Sequence, residues 1–295
     1  MNNKQLETLK EDYNNIPIPN ELDSVVRKTI KERKNKNWSK KVQWIAGVAA
    51  VVIIFVGGIN ISPAMASMLS DVPVIKTLVH VLTFRDYQVD EGTYRANIEV
   101  PVIDGLENKT LEETLNIKYL DENKKLYEEF MVDMKDLKEQ GGGHLGVNSG
   151  YVVKTDNDRI LAIGRYVVNT VGSSSTTFKY DTIDKKDQVL ITLPSLFKDE
   201  EYINVISENI KAQMREQMQA DAKKVYWVSG TNMKLPFGEF NQIEKDQAFY
   251  LNTENKLVIS FDKYKVAPGS MGVVEFVVPT DVIANLLVSD EYVKP

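Results

Sequence analysis

The chain has 295 residues, 43% of them hydrophobic, enough for one large or two modest folded units. It contains no cysteine, which excludes a disulfide framework, a thiol nucleophile and a thiolate metal site. The net charge of −6 is unevenly spread: residues 1–41 hold ten Lys or Arg against six Asp or Glu, leaving 26 basic and 36 acidic residues, a net −10, for the remainder. The two parts therefore meet different surroundings or partners.

Residues 1–41 predict two short helices around a turn, Ile16-Pro17-Ile18-Pro19-Asn20. Asn20 is a good N-cap, and Leu22, Val25, Val26 and Ile30 then form one apolar stripe. A segment this short cannot bury that stripe against itself. It reads as a docking face for another protein, with a plain membrane-proximal anchor as the alternative.

Residues 42–62, VQWIAGVAAVVIIFVGGINIS, carry no charge, and none appears between Lys41 and Asp71. About 20 apolar residues span the hydrocarbon layer as a helix, so this stretch is expected to be a single membrane crossing. Arg27, Lys28, Lys31, Arg33, Lys34, Lys36, Lys40 and Lys41 crowd one flank. Basic flanks stay on the cytoplasmic side, which puts the N-terminus inside and the C-terminus outside the cell. Next, Pro63-Ala64-Met65-Ala66-Ser67 offers small residues at Ala64 and Ala66, the A-x-A pattern that signal peptidase reads, with the cut before Ser67. The 41 residues ahead of the apolar run are too many for an ordinary secretory n-region, so the cut is expected to be an event and not routine maturation. Residues 63–84 complete this juxtamembrane piece. Val74, Ile75, Leu78, Val79 and Leu82 fall on one helical face, either the first core helix of the outer part or an interfacial helix that masks Ala66.

The remainder predicts an α+β outer region in two small sheet-plus-helix units, residues 85–180 and 181–295. Residues 85–103 alternate like strand, and Glu107 to Gln140 reads as helix broken by Gly141-Gly142-Gly143. Tyr151–Val153 and Ile160–Val171 form a hairpin about Thr155-Asp156-Asn157-Asp158, and strands follow at Thr176–Ile183 and Val189–Leu193. Tyr202, Ile206, Ile210, Met214 and Met218 mark a core-packing helix. Phe249–Leu251, Leu257–Phe261 and Val273–Val278 are strands, with a short helix over Thr280–Leu287.

Catalytic constellations are missing from the pattern. The only histidines, His80 and His144, are far apart, so neither a zinc site nor a Ser-His-Asp arrangement is picked out. No cofactor, metal or direct nucleic-acid contact is expected, and a binding protein is favoured over an enzyme. Two loops suit a partner: one containing Ser173, Ser174 and Ser175, and one containing Pro268, Gly269, Ser270 and Met271 with an exposed-looking methionine. The plain alternative for each is an ordinary connection.

Ile18-Pro19-Asn20-Glu21-Leu22, the run LPSLFKDEEYINVISENIKAQM over residues 193–214, Tyr226-Trp227 and LVISFDKYKVAPGSMGVVEF over residues 257–276 closely resemble the RsiV family. These are membrane anti-sigma factors of the ECF sigma factor SigV in Gram-positive bacteria. The resemblance covers nearly the whole chain, and the outer part is also shared with some peptidoglycan deacetylases beside a separate catalytic domain. It implies that the stripe Leu22 to Ile30 holds a sigma factor and that lysozyme binds outside at the two loops. It implies further that signal peptidase cuts at Ala64 to Ala66 and that an intramembrane site-2 protease then frees the sigma factor. In that family the residue after Ala-Pro-Gly can be aromatic, whereas here it is Ser270. Two rivals stand beside this reading: a cell-wall-binding surface protein whose N-terminal segment is only an anchor, and an envelope accessory to peptidoglycan deacetylation.

Overall fold

The computed structural model describes residues 79–230 and 238–294. The stripe Leu22, Val25, Val26 and Ile30, the apolar run 42–62, and Ala64, Ala66 and Ser67 lie outside the described residues, as does the expected helix up to Leu78. Among the described residues no helix is long and apolar enough to cross a membrane.

The described chain opens with a correction. His80–Phe84 is extended and starts strand β1 (His80–Glu91), which pairs antiparallel with β2 (Tyr94–Asp104) through a tight turn at Gly92 and Thr93. Apolar residues at Val79, Val81 and Leu82 fit a helix face and a strand equally. The β-branched Val79, Val81 and Thr83 alternate, and the facing Val100–Asp104 settles the choice as strand.

Helix α1 (Lys109–Glu139) follows. Asn108 caps it by accepting the Leu111 N–H at 3.1 Å, and the Glu112 carboxylate accepts the Leu106 N–H at 2.8 Å. Asn108 is itself held by Gln188, whose side-chain oxygen accepts its N–H at 3.0 Å. The buried face, Leu115, Tyr119, Asn123, Phe130 and Met134, lies on β2 and its neighbours. Gly141 and Gly142 end the helix in left-handed conformations, the Gly142 N–H reaching the Leu137 carbonyl at 2.8 Å.

The helix returns the chain to the same side, so β3 (Leu145–Asp156) pairs parallel to β2, as a crossover of this length permits. Strands β4 (Ile160–Val171), β5 (Ser173–Asp184) and β6 (Val189–Ile191) then add by antiparallel steps to give a six-stranded sheet in sequential order. Arg165, almost fully buried between sheet and helix, bonds Glu122 on α1 and Asp181 on β5 and lies over the Tyr119 ring at 4.3 Å.

Helix α2 (Glu201–Ala220) buries Tyr202, Ile206, Ile210 and Met214 against a three-stranded antiparallel sheet, β7 (Phe249–Leu251), β8 (Leu257–Phe261) and β9 (Val274–Val278). A short helix α3 (Thr280–Ile283) closes the layer. Each sheet thus carries a helix on one face, as the α+β reading requires. Residues 180 and 181, where the two expected units meet, both lie in β5, and Ile160 and Ala162 of the first sheet belong to the same core as Met214 and Phe276. The described residues form one compact unit.

Candidate partner-binding site

The seam between the sheets positions both candidate loops. Thr155 donates its hydroxyl to the Leu251 carbonyl at 2.6 Å. Glu275 on β9 accepts from Lys154 at 2.7 Å, from Tyr180 at 3.0 Å and from Tyr250 at 3.0 Å. Lys154 also lies over the Tyr250 ring at 4.9 Å, and Phe178, Tyr180 and Tyr250 stack in a row beneath it. Burial alone would raise the Glu275 carboxyl, but the bonds from Lys154, Tyr250 and Tyr180 hold it below the usual carboxylate range. Tyr180 and Tyr250 are pushed up, chiefly by burial and then by the Glu275 charge.

Farther along the same seam the backbones meet. The Asp262 carboxylate accepts the Phe178 N–H at 2.7 Å, and the Lys263 N–H reaches the Thr176 carbonyl at 3.0 Å. These contacts bring the connection between β8 and β9 against the end of the β4–β5 hairpin.

Ser173, Ser174 and Ser175 are not a loop, which corrects the expectation. They are the first residues of β5, paired with Val171, Thr170 and Asn169, and the turn is made by Gly172 at φ 73°. Small hydroxyl residues permit a loop but also fit an antiparallel edge, and the register with β4 decides. Pro268 leads into a 3-10 turn at Gly269–Met271, closed by the Met271 N–H on the Pro268 carbonyl at 2.9 Å. Ser270 is exposed, whereas Met271 is half-buried and packed against the large core. The methionine is therefore packing and not a free contact.

Tyr264 is the residue the sequence did not reveal. Its hydroxyl stands 2.9 Å from Ser173 Oγ, and Lys263 Nζ donates to Ser174 Oγ at 2.9 Å. Its ring lies over Gly269 so closely that a Cβ added there would stand 2.3 Å from ring carbons. The start of β5 and the 3-10 turn are thereby joined through one side chain. Asn169, Val171, Ser173, Ser174, Ser175 and Tyr264 line an open cleft of about 310 Å³. The only written hint is the turn Asp262-Lys263-Tyr264-Lys265, which reads as an ordinary charged connection.

His80 and His144 are both exposed, and among the described residues no three His, Asp or Glu gather as a metal site would require. What the cleft offers is shape, hydroxyls and an aromatic ring, the equipment of recognition.

Comparison with known proteins decides the family. The chain is 43% identical over 292 residues to a Bacillus subtilis (strain 168) protein named anti-sigma-V factor RsiV, covering 99% of each. The chain belongs to the RsiV family. Within this RsiV-family chain, residues 33–152 match a domain of unknown function, DUF4179, and residues 194–281 match DUF3298, a protein of unknown function. A crystallised DUF3298 member from Bacteroides fragilis NCTC 9343 superposes with a TM-score of 0.51 at 15% identity, over 72% of this chain and 95% of that one. Another, from Pseudomonas aeruginosa PAO1, gives 0.50 at 12% identity over 74% and 98%. At such identities these two establish a shared fold for most of the RsiV-family chain and no shared activity.

Proposed function

We propose that the chain is an anti-sigma factor that holds an ECF sigma factor at the membrane and releases it when lysozyme binds the outer region. The observation that carries this reading is the 43% identity to an anti-sigma-V factor along 99% of both chains, which takes in the N-terminal segment as well as the outer fold. The stripe Leu22, Val25, Val26 and Ile30 is the proposed sigma-docking face, and residues 42–62 the proposed membrane crossing, with the N-terminus cytoplasmic.

Ligand binding outside makes the segment Ala64–Ser67 available to signal peptidase, and a site-2 protease then cuts the remaining helix. Gly57, Gly58 and Asn60 are poor helix formers, and an intramembrane protease must unwind its substrate to reach the peptide bond. The net −10 beyond residue 41 suits a strongly basic lysozyme, because opposite fields speed encounter. The joined segments at Ser173–Ser175, the start of β5, and Pro268–Met271 are the proposed lysozyme contact. The protein acts by sequestration and has no catalytic role in this scheme.

Purification of the tagged full-length chain from its own cells tests the sequestering half. An ECF sigma factor should copurify, and should be lost when residues 1–41 are removed. Copurification that survives that deletion would overturn the assignment of the docking segment.

A further inference from the structure

From the geometry of the joined loops we infer that Tyr264 is the aromatic anchor through which this surface grips its protein partner; this rests on the lysozyme reading above. The segments 171–177 and 267–272 contain no aromatic residue of their own. Tyr264 supplies one at their junction, and it remains 42% exposed although it touches both segments. Beside it stands Val171, 62% exposed at the hairpin end, so an aromatic and an aliphatic group face outward across one cleft. Tyrosines held rigidly in this way are common centres of binding energy, since a large contact area is offered at small entropic cost.

The backbone shows that the position is imposed. Lys265 N–H bonds the Asp262 carbonyl at 3.0 Å, making a turn whose third residue is Tyr264 at φ 73°. That position asks for Gly or Asn, and an aromatic residue there is strained. Of the other non-glycine residues at positive φ among the described residues, Asn255 is a turn residue suited to it, and Gln188 is tied to the Asn108 cap. Strain of this kind persists where surrounding contacts over-determine it and gathers at ligand clamps. Here the over-determining contacts are Ser173 Oγ and Gly269, one on each candidate segment.

A glycine at 264 separates an anchor from a structural brace, because it removes the ring while relieving the turn. The full-length chain in detergent micelles, immobilised and exposed to purified egg-white lysozyme, gives association and dissociation rates. Tyr264→Gly should dissociate at least about tenfold faster than the unmodified chain, with its association rate and thermal midpoint unchanged. Tyr264→Phe, which keeps the ring on Gly269, should stay within about threefold. Gly269→Ala pushes the ring from its seat without a positive-φ demand and should follow the glycine variant, which keeps the test open if that variant folds poorly. Unmodified dissociation in Tyr264→Gly or Gly269→Ala overturns the anchor while the lysozyme reading stands. An equal loss in Tyr264→Phe also overturns it, by placing the effect in the hydroxyl. If the unmodified chain shows no lysozyme binding, the underlying reading fails and the anchor fails with it.

Discussion

Glu275→Gln probes the seam that brings the two loops together. The Glu275 carboxylate takes three hydrogen bonds, from Lys154, Tyr180 and Tyr250, and its side chain is 29% exposed against 24% for Lys154. Bonds to a charged group contribute about 1.5–3 kcal/mol each, and neutral ones about 1 kcal/mol. A glutamine of the same shape keeps the oxygen but presents an N–H₂ where the second acceptor stood, and it leaves the Lys154 charge half-buried over three aromatic rings. The loss is about 2 kcal/mol after allowance for partial solvent exposure. Urea unfolding of the full-length chain in micelles, followed through the fluorescence of buried Trp227, measures it. The exposed Glu254→Gln serves as control. A double cycle with Lys154→Met should show coupling of about 1 kcal/mol or more. The pH dependence has a definite sign. Glu275 has a lowered carboxyl pKa in the fold, so its contribution is complete above the ordinary carboxylate pKa and disappears as pH falls through the lowered value. The Gln variant should therefore lose the least stability, relative to the unmodified chain, in acid. A change below about 0.5 kcal/mol at neutral pH would refute the seam as a source of loop positioning.

One further perturbation follows from the structure and two from the proposed topology. Asn108→Ala removes the cap of α1 and the side-chain amide's bond to the Gln188 carbonyl, while the backbone N–H bond to Gln188 stays, and should cost about 1 kcal/mol in the same unfolding assay; no change would show that the cap is replaced by water. Ala66→Trp fills the small-residue pocket of signal peptidase and should block release, so continued appearance of a fragment starting at Ser67 would remove that site assignment. Replacing Leu22 and Val26 together with Asp should raise transcription of sigma-dependent genes without any stimulus. Unchanged repression in a reporter strain would show that the stripe is not the docking face.

Elements whose signal is local were legible in the residues. The four-residue spacing of Tyr202, Ile206, Ile210 and Met214 specified α2 and its buried face, and Gly141-Gly142 specified where α1 ends. What depended on distant pairing was not legible. His80–Phe84 has an apolar pattern that satisfies a helix or a strand, and only β2 opposite it discriminates. Ser173–Ser175 read as a loop because their composition is that of loops, yet twelve-residue pairing with β4 draws them into a strand. Nor does the sequence show that Ile160 and Ala162 join a core built mostly by residues some 40 or more positions later. Of the candidate site, the two segments were found by composition but their junction was not. Tyr264 sits in a charged stretch with no periodic signal, and its importance comes from a left-handed turn and two contacts across the seam.

The central claim is that lysozyme outside the cell causes proteolytic loss of the anchor that holds the sigma factor. It is tested most directly by tagging both ends of the full-length chain and following it in membranes by immunoblot, with and without added lysozyme. The account predicts rapid loss of the intact band and an outer fragment whose first residue is Ser67. An intact band that persists while lysozyme is demonstrably bound would contradict it.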